Sequence, residues 1–350
     1  MKIVVLAAGT STERDVSIVS GTGVCKALNS IGHHAILVDV FFGCPSLPES
    51  DHFPDHYDTD QAAQEIRNYS VHLEKAKQKR RSFFGPHVIE LCLEADFVFL
   101  TLHGSNGEDG RIQAALDLLG VQYSGTDYIS SAVAMDKTRT KQIFALCGIP
   151  TPLGTTVHKG QCTAEELLRE LPLPLIVKPQ CGGSSIGVTI CHTEEELQQG
   201  LDLSFSFEEA AIVEEFIEGR ELTVAVMGRE AYPVVEIAPI NGFYDYKNKY
   251  LPGMTIETCP AKIPDEKTEE IQRLAVQAAE ALGIQAYVRM DFLMREDGRL
   301  YCLEANTLPG MTPTSLVPQE AAALGIDYPS LCQKMIDLSL EKYRDQQPLL

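Results

Sequence analysis

Residues 289–315 read RMDFLMREDGRLYCLEANTLPGMTPTS, and this stretch decides the fold of the C-terminal half because it predicts a β-hairpin that carries polar side chains. Asp291 lies in the alternating apolar run YVRMDFLM, Glu304 lies in a second run, LYCLEAN, and the turn residues Glu-Asp-Gly separate the two. Because alternate side chains of a strand point the same way, we expect Asp291, Glu304 and Asn306 to share one face of the hairpin.

This set of side chains predicts a metal site. Oxygen ligands without His or Cys suit Mg²⁺, which keeps several waters and is usually completed by substrate phosphates. The hairpin therefore indicates two hard cations and a nucleotide. A single Asp or Glu at a strand end is more often a solvated edge residue, but the adjacent Arg289 and the rigid turn from Thr307 to Thr312 favour the metal site.

Length and charge set broad limits. A chain of 350 residues exceeds the usual size of a single core, so two or three domains are expected. With 29 Lys and Arg against 49 Asp and Glu, the net charge of -20 opposes sequence-independent binding to nucleic acid or to an anionic membrane. The basic run KAKQKRR (75–81) is expected to be a solvated helical face.

The sequence also indicates the cellular compartment. No apolar run is long enough to cross a bilayer, and the apolar part of the N-terminus is too short for a signal peptide. Ten cysteines without CxxC pairs, including Cys92, Cys147, Cys302 and Cys332, are expected to be reduced core residues. We therefore expect a cytoplasmic protein, and a homodimer.

The first third of the chain predicts a parallel sheet. The buried strand KIVVLAAG precedes a polar turn and a helix from about Val16 to Leu28, and the strands AILVDV and DFVFLTLHG follow on either side of a loop-rich stretch from Gly43 to about Gly85. Glu13 and His103 are expected on functional loops at the carboxyl ends of the strands. No GxGxxG follows the first strand, which disfavours an NAD enzyme.

The middle of the chain contains a small-residue loop that follows a lysine. After the helical run MDKTRTKQIFALCGI, the strand LIVKP leads into the loop 181–187, CGGSSIG, whose glycines allow backbone N–H groups to approach a phosphate. Lys178 inside the apolar strand needs an anionic partner. Lys137 is either a second such cation or an ordinary exposed lysine.

From Lys2 to about Lys334 the chain resembles the D-alanine–D-alanine ligase family of the ATP-grasp superfamily. The resemblance is carried in order by GTSTERDVS, LHGxxGEDG, MDKxxxK, KPxxGGSSIGV, VEEFIxGREL, FYDYxxKY, RxD and LEANTxPGMTxTSLVP. It implies an α/β fold in which an N-terminal, Rossmann-like parallel-sheet domain precedes a two-lobed ATP-grasp fold. The implied domains are 1–126, 127–214 and 215–350, and ATP would lie between the last two.

The resemblance also implies a role for each matching residue. Lys137, Lys178, Ser184, Ser185 and Lys249 would bind the phosphates of ATP, and Glu214 and Glu221 would meet adenine and ribose. Asp291, Glu304 and Asn306 would hold two Mg²⁺ ions, for which Mn²⁺ is an alternative. The implied substrate and catalytic residues, which bind D-alanine or complete the reacting centre, are Glu13, His103, Ser184, Tyr250, Arg289, Gly310, Ser315 and Leu316.

Two features depart from the family pattern. Some members carry Lys after the hinge glutamate, where this chain has Glu215. The chain therefore lacks at this position the cation that those members would direct toward the adenine edge. The region 43–90 is longer than in the shortest members and matches no motif.

The implied chemistry is ligation through an acyl phosphate, with the loop FYDYKNKYLPG (243–253) closing over the site. Two alternatives remain open. One is a ligase that joins D-alanine to a hydroxy acid such as D-lactate, a choice on which Tyr250 bears. The other is a sensor that binds ATP and an amino acid without turnover, which the paired metal ligands disfavour because a sensor does not need them.

Overall fold

The structure is a computed structural model that describes residues 1–44, 47, 51–183, 185–240 and 255–344. Its first part contains, in chain order, β1 (Lys2–Ala7), α1 (Arg14–Ser30), β2 (His34–Asp39), α2 (Thr59–Ser70), α3 (Leu73–Lys79), α4 (Val88–Glu94), β3 (Phe97–Leu100) and α5 (Arg111–Leu118). The middle part contains α6 (Tyr128–Met135), α7 (Lys137–Leu146), β4 (Gly154–His158), α8 (Ala164–Leu167), β5 (Leu175–Pro179), β6 (Thr189–Cys191), α9 (Glu194–Ser204) and β7 (Ala210–Glu215). The last part contains β8 (Arg220–Met227), β9 (Glu230–Ala231), β10 (Val235–Pro239), β11 (Thr255–Thr258), α10 (Asp265–Ala281), β12 (Tyr287–Met294), β13 (Leu300–Asn306), α11 (Leu316–Ala323) and α12 (Tyr328–Glu341).

The N-terminal sheet is parallel, with strand order β2-β1-β3. Its strands are apolar except at their ends because helices cover both faces. Helices α1, α2 and α12 pack on one face, and α4 and α5 pack on the other. The predicted alternation of strands and helices is confirmed. Glu13 and His103 follow β1 and β3, so both lie at the carboxyl edge of this sheet.

Two antiparallel sheets form the rest of the molecule. The smaller has the order β4-β7-β5-β6 and packs on α8 and α9. The larger has the order β11-β10-β8-β12-β13, with β9 also paired to β8, and α7 and α10 cover one of its faces. The predicted α/β class is confirmed.

The stretch predicted to be loop-rich, residues 43 to about 85, contains α2, which was not expected, in addition to the helix expected for the basic run. The sequence hides α2 because this helix is polar overall and only Thr59, Ala63 and Ile66 are buried, so few apolar residues mark its buried face. The basic run KAKQKRR lies largely on α3, none of whose residues is buried, as expected.

The predicted helical run MDKTRTKQIFALCGI, which starts at Met135, forms α7 from Lys137 onward, and the residue before α7 is Asp136. Its carboxylate accepts the N–H of Arg139 (3.1 Å), so Asp136 ends α6 and caps α7. Helix α1 begins earlier than expected, at Arg14, with Glu13 as its N-cap residue.

Arg14 connects the 43–90 region to the sheet. Its guanidinium is buried, forms an ion pair with Asp39, and donates to Gly9 O (2.7 Å) and to Ser70 Oγ (2.9 Å) of α2. Asp39 in turn accepts the N–H of Phe41 (2.8 Å). Helix α2 therefore helps to hold Arg14, the residue that follows Glu13, in place.

All ten cysteines lie in the described part of the chain and are free thiols. Five are buried, as expected, but Cys147 and Cys181 are exposed. Because Cys147 follows α7 at its solvent side, its prediction as a core residue is wrong. Among the described residues, no helix combines the length and apolar character needed to cross a membrane.

Candidate active site

The predicted hairpin is formed by β12 and β13. Asp291 lies opposite Glu304, Arg289 lies opposite Asn306, and the register shifts just after Asp291. The Asn306 side chain donates to Asp291 Oδ2 (3.0 Å). The structure therefore brings together the three residues proposed as metal ligands, as the alternation of the two strands predicts.

The Asp291 carboxylate is buried and held in one orientation by neighbouring donors. Arg289 donates through Nε to Oδ1 (2.9 Å) and through Nη2 to Oδ2 (2.8 Å). Thr223 Oγ1, from the adjacent strand β8, donates to Oδ1 (2.6 Å). Two oxygens fixed in this way form a preorganised anionic centre on the face of the sheet.

Lys137 is buried at the start of α7, which excludes the alternative of an ordinary exposed lysine. Its Nζ donates to Gly182 O (2.6 Å) and lies 3.2 Å from Glu304 Oε2. Burial alone lowers the pKa of a lysine, but the Glu304 carboxylate outweighs it, and the pKa of Lys137 is raised. This lysine therefore joins the glycine-rich segment of the central lobe to the hairpin.

Lys178 finds its anionic partner within the protein. On β5 it forms an ion pair with Glu214 of the neighbouring strand β7, and Lys141 of α7 lies 2.7 Å from the same carboxylate. Burial raises the pKa of Glu214, but the two lysines outweigh burial and the pKa lies below its ordinary value. Glu214 thus has two lysine partners within the protein itself.

Lys141 was missed by the sequence analysis. The pattern MDKxxxK contains a usable indication, because residues four apart lie on the same face of a helix. With Lys137 buried, Lys141 one turn later is expected to be buried as well. Its partner Glu214 is distant in sequence, so the pairing itself is not predictable from the pattern.

A cavity of about 440 Å³ lies between these elements. Its charged lining includes Lys137, Lys178, Glu214, Glu221 and Glu304, and its apolar lining includes Ile176, Phe216, Ile217, Leu293 and Leu303. Gly182, Gly183 and Ser185 of the glycine-rich segment form part of the wall. A cavity with apolar walls and a few convergent charges is typical of a ligand site.

Glu13 lies between the N-terminal domain and the glycine-rich segment. A Cβ atom placed on Gly104 would be 3.3 Å from Glu13 Oε2, and one placed on Gly183 would be 3.4 Å from the same oxygen. Glycine at both positions leaves the carboxylate room between the two loops. Glu13 itself is only 8 % exposed.

His103 is buried beside this carboxylate. Its Nδ1 donates to Leu308 O (3.1 Å), in the turn that follows β13, while Nε2 has no hydrogen-bond partner among the residues described. Burial is the main cause of a lowered His103 pKa, which Glu13 partly offsets. With Nδ1 protonated, the neutral ring presents the lone pair of Nε2 as a buried acceptor.

Glu108, in the GEDG part of the loop after His103, is a second residue that the sequence analysis missed. Its Oε1 accepts the N–H of Gly104 (2.9 Å). Burial, followed by the charge of Glu13, raises the pKa of Glu108 to about 8. An acidic residue in a glycine-rich loop gives no indication of such a pKa shift, which depends on burial of the side chain and on the charge of Glu13 in the folded protein.

Gly310 and Ser315 lie together between β13 and α11. A Cβ on Gly310 would approach Ser315 Oγ to 2.8 Å, and Thr312 N donates to that oxygen (2.9 Å). Leu316 begins α11, and its side chain packs with Val235 and Ile237 in a small apolar core. Any contact of Leu316 with a substrate would therefore involve its backbone.

Three proposed site residues, Ser184, Lys249 and Tyr250, lie outside the described residues, as does the proposed lid 243–253.

The donor chemistry of the hairpin fits a magnesium site. Two carboxylates and an amide oxygen donor set are grouped on adjacent strands, and all are ligands of hard cations. In the described ranges no group of three or more His, Cys, Asp and Glu side chains forms an alternative site.

Comparison with known proteins gives the family. The model described as D-ala D-ala ligase N-terminus matches residues 2–126, and that described as D-ala D-ala ligase C-terminus matches residues 144–337. A D-alanine–D-alanine ligase of Pediococcus pentosaceus is 40 % identical, with 99 % of each chain covered. The solved D-alanine–D-alanine ligase of Bacillus anthracis is 31 % identical with a TM-score of 0.77, over 99 % of this chain and 100 % of that one.

A second structure of the Bacillus anthracis enzyme, solved in complex with ATP, is similar over 99 % of both chains, with 27 % identity and a TM-score of 0.74. The matches span the whole length of the relatives, so the resemblance found in the sequence is confirmed, together with the ATP-grasp architecture and the class of enzyme. The chain belongs to the D-alanine–D-alanine ligase family.

Proposed function

We propose that the chain joins two D-alanines into D-alanyl-D-alanine while ATP is converted to ADP and phosphate, and that the dipeptide supplies peptidoglycan synthesis. The observation that carries the proposal is the meeting of Lys137 and Glu304 in the lining of the cavity, directly beside Asp291 and Asn306. Cations and oxygen ligands at one end of an apolar cavity suit a nucleotide whose phosphates point toward the hairpin.

The cavity supports the nucleotide part of the proposal. Its volume lies in the range of about 300–1,000 Å³ that is typical of small-molecule sites. The apolar walls suit a purine, Glu221 suits ribose hydroxyls, and Lys137 and Lys178 suit phosphates. Ser185 and the glycines of the 182–187 segment add backbone donors, and the roles of Ser184 and Lys249 stay predictions.

Asp291, Glu304 and Asn306 would hold two Mg²⁺ ions, or Mn²⁺ in their place. Ions bound there would neutralise charge on the phosphates during transfer of the γ-phosphoryl group. The fixed orientation of Asp291 suits this task because both its oxygens already point in defined directions.

The carboxyl edge of the N-terminal sheet supports binding of the amino acids. Glu13 offers a carboxylate for the ammonium group of the first D-alanine. Close by, Nε2 of buried His103, which has no hydrogen-bond partner in the part of the chain that the structure describes, offers an acceptor. Ser315 with the backbone at Leu316 would hold the carboxylate of the second D-alanine at the start of α11.

The chemistry follows from these positions. An oxygen of the first D-alanine carboxylate attacks the γ-phosphorus, the bond to the bridging oxygen breaks, and ADP leaves an acyl phosphate behind. The deprotonated amine of the second D-alanine attacks the acyl carbon, and phosphate departs as the peptide bond forms. Arg289 and the N–H of Gly310 would stabilise the tetrahedral oxyanion, each by about 3–4 kcal/mol.

The proposal is tested by incubating the protein with ATP, Mg²⁺ and a panel of D-amino acids, L-amino acids and D-hydroxy acids, with ADP release and product masses measured. D-Alanyl-D-alanine is expected from D-alanine, and no product from L-alanine. ADP release without a dipeptide mass, or a product only with D-lactate, contradicts the proposal. ATP binding without any turnover supports the sensor instead.

Two further expectations stay predictions. A homodimer would give twice the chain mass of 38.5 kDa in light scattering. A cytoplasmic location would place the protein in the supernatant of fractionated cells.

A further inference from the structure

Three charged side chains form a buried cluster in the wall of the cavity. Glu214 lies between Lys141 and Lys178, and the side chains of all three are at most 12 % exposed. Lys141 also donates to Thr151 Oγ1 (2.9 Å). The cluster contains two cations and one anion, so its net charge is +1.

The two lysines contact different oxygens of the carboxylate: Lys178 contacts Oε1 and Lys141 contacts Oε2. Lys178 and Glu214 line the cavity, whereas Lys141 lines a separate groove formed by residues 148–156 and neighbouring parts of α7. Lys141 therefore acts on a ligand in the cavity through Glu214 and not by direct contact.

We propose that Lys141 is a positioning residue of the nucleotide site, which neutralises Glu214 and so leaves the charge of Lys178 available to a phosphate; the inference rests on the proposed function. Without Lys141, Lys178 and Glu214 form a neutral pair, and a phosphate that approaches Lys178 also meets a carboxylate whose charge only Lys178 balances. Because the cluster is buried, solvent screens this repulsion poorly.

The geometry of α7 supports this role. Lys137 and Lys141 lie one turn apart on the same helix, so one rigid element delivers both cations, Lys137 toward Glu304 and Lys141 toward Glu214. Each lysine pairs with a carboxylate of the cavity lining. Helix α7 thus supplies a positive charge beside two carboxylates of the cavity lining, Glu304 and Glu214.

The test compares the binding of ATP with that of adenosine by titration calorimetry in the presence of Mg²⁺. The ratio Kd(adenosine)/Kd(ATP) isolates the contribution of the phosphates, because the purine and ribose contacts appear in both constants. Lys141→Met is expected to lower this ratio about tenfold, as loss of one charge-assisted contact would. Lys141→Arg, which keeps the charge, and Arg139→Met, which removes an exposed cation from the same helix, are expected to leave the ratio unchanged.

A rescue experiment separates charge from packing. In the double variant Lys141→Met/Glu214→Gln, Lys178 has no carboxylate partner in this cluster, and the ratio is expected to return to within about threefold of wild type. An unchanged ratio in Lys141→Met, an equal loss in Lys141→Arg, or no recovery in the double variant overturns the inference. If Lys141→Met does not fold, Glu214→Gln alone carries the test, and its ratio must exceed that of wild type.

Failure of the inference differs from failure of the proposed function. If the wild type does not bind ATP more tightly than adenosine, both fall. If the wild type shows the expected preference and releases ADP only with D-alanine, but Lys141→Met behaves like wild type, the inference alone is overturned.

Discussion

Arg289 forms a bidentate ion pair with Asp291, two residues further along the same strand. The two N–O distances are 2.9 and 2.8 Å. The planar fork of arginine matches a carboxylate, and lysine cannot reproduce this geometry. The pair ties the group proposed to stabilise the oxyanion to a proposed metal ligand, so one substitution should disturb both.

We expect Arg289→Lys to lower kcat about a hundredfold and to raise the Mg²⁺ concentration needed for half-maximal activity. ADP release over a Mg²⁺ titration measures both effects. Arg299→Lys is the matched control, because Arg299 also pairs with an aspartate two positions away, Asp297, on the exposed turn of the same hairpin. A normal Mg²⁺ requirement in Arg289→Lys would show that the pair does not orient the metal ligand.

Glu304→Gln should lower turnover by at least about a hundredfold. Changing a residue that only hydrogen-bonds to a metal ligand costs up to about a hundredfold, and a ligand itself should matter at least as much. The side chain is half-buried at a polar position, so the fold should be retained. Thermal melts followed by circular dichroism check the fold, and ADP release checks the activity. Wild-type turnover with an ordinary Mg²⁺ dependence would remove Glu304 from the proposed ligands.

Glu108 predicts a dependence of stability on pH. Its pKa is about 8 in the folded protein against an ordinary 4.5, so between these values the folded state keeps a proton that the unfolded state has lost. Its contribution to stability is thus fully present below about pH 4.5 and is lost as the pH rises toward 8. Glu108→Gln cannot titrate, and its stability relative to wild type should increase over this interval.

Urea unfolding near pH 4.5 and near pH 8 measures this difference. Glu269→Gln, at an exposed position of α10, serves as the control and should show no such trend. An equal difference between Glu108→Gln and wild type at both pH values would contradict the raised pKa.

Arg14→Met should destabilise the protein by about 3–5 kcal/mol, because it leaves the Asp39 carboxylate buried without its partner. Arg14→Met/Asp39→Asn should recover most of that loss, since the amide oxygen can still accept the N–H groups of the loop. Urea unfolding of wild type, Arg14→Met, Asp39→Asn and the double variant gives the free energy of unfolding of each, and so the coupling between the two residues. Additive losses would mean that the two residues act independently.

Tyr250→Phe should fold normally and retain dipeptide synthesis at a lower rate, but gain measurable ligation of D-alanine to D-lactate. The reason is that a substrate which leaves a buried hydroxyl of the site without a hydrogen bond binds with a free-energy penalty. Phenylalanine has no hydroxyl, so this penalty against D-lactate is removed. Product masses from mixtures of D-alanine and D-lactate measure the effect, and Tyr128→Phe on the exposed face of α6 controls for loss of a hydroxyl. Identical product ratios in Tyr250→Phe and wild type would place the choice of nucleophile elsewhere, in the loop around Ser315.

The sequence predicts the hairpin with Asp291 and Glu304 well because both signals are local: a period of two and a Glu-Asp-Gly turn. It does not predict the ion pair of Lys141 with Glu214 or the pKa of Glu108. Both depend on partners far along the chain, Glu214 and Glu13, and an isolated lysine or glutamate is expected to be exposed. Helix α2 is missed for a related reason, since its hydrogen bonds with Arg14 are made by the Ser70 hydroxyl and the Ile66 carbonyl, and neither is visible in an apolar pattern.

The helix α12 packs Leu331, Cys332, Met335 and Ile336 against the same core as Ile3 and Val5 of β1. Ser339 Oγ also accepts the N–H of Gly125 (3.0 Å), and the Tyr343 hydroxyl accepts that of Tyr123 (3.0 Å). During synthesis on the ribosome, the first strand is therefore made hundreds of residues before the helix that covers it. One face of the N-terminal sheet lacks the cover of α12 until this helix emerges, so a nascent chain cut before it exposes an apolar surface to chaperones and proteases.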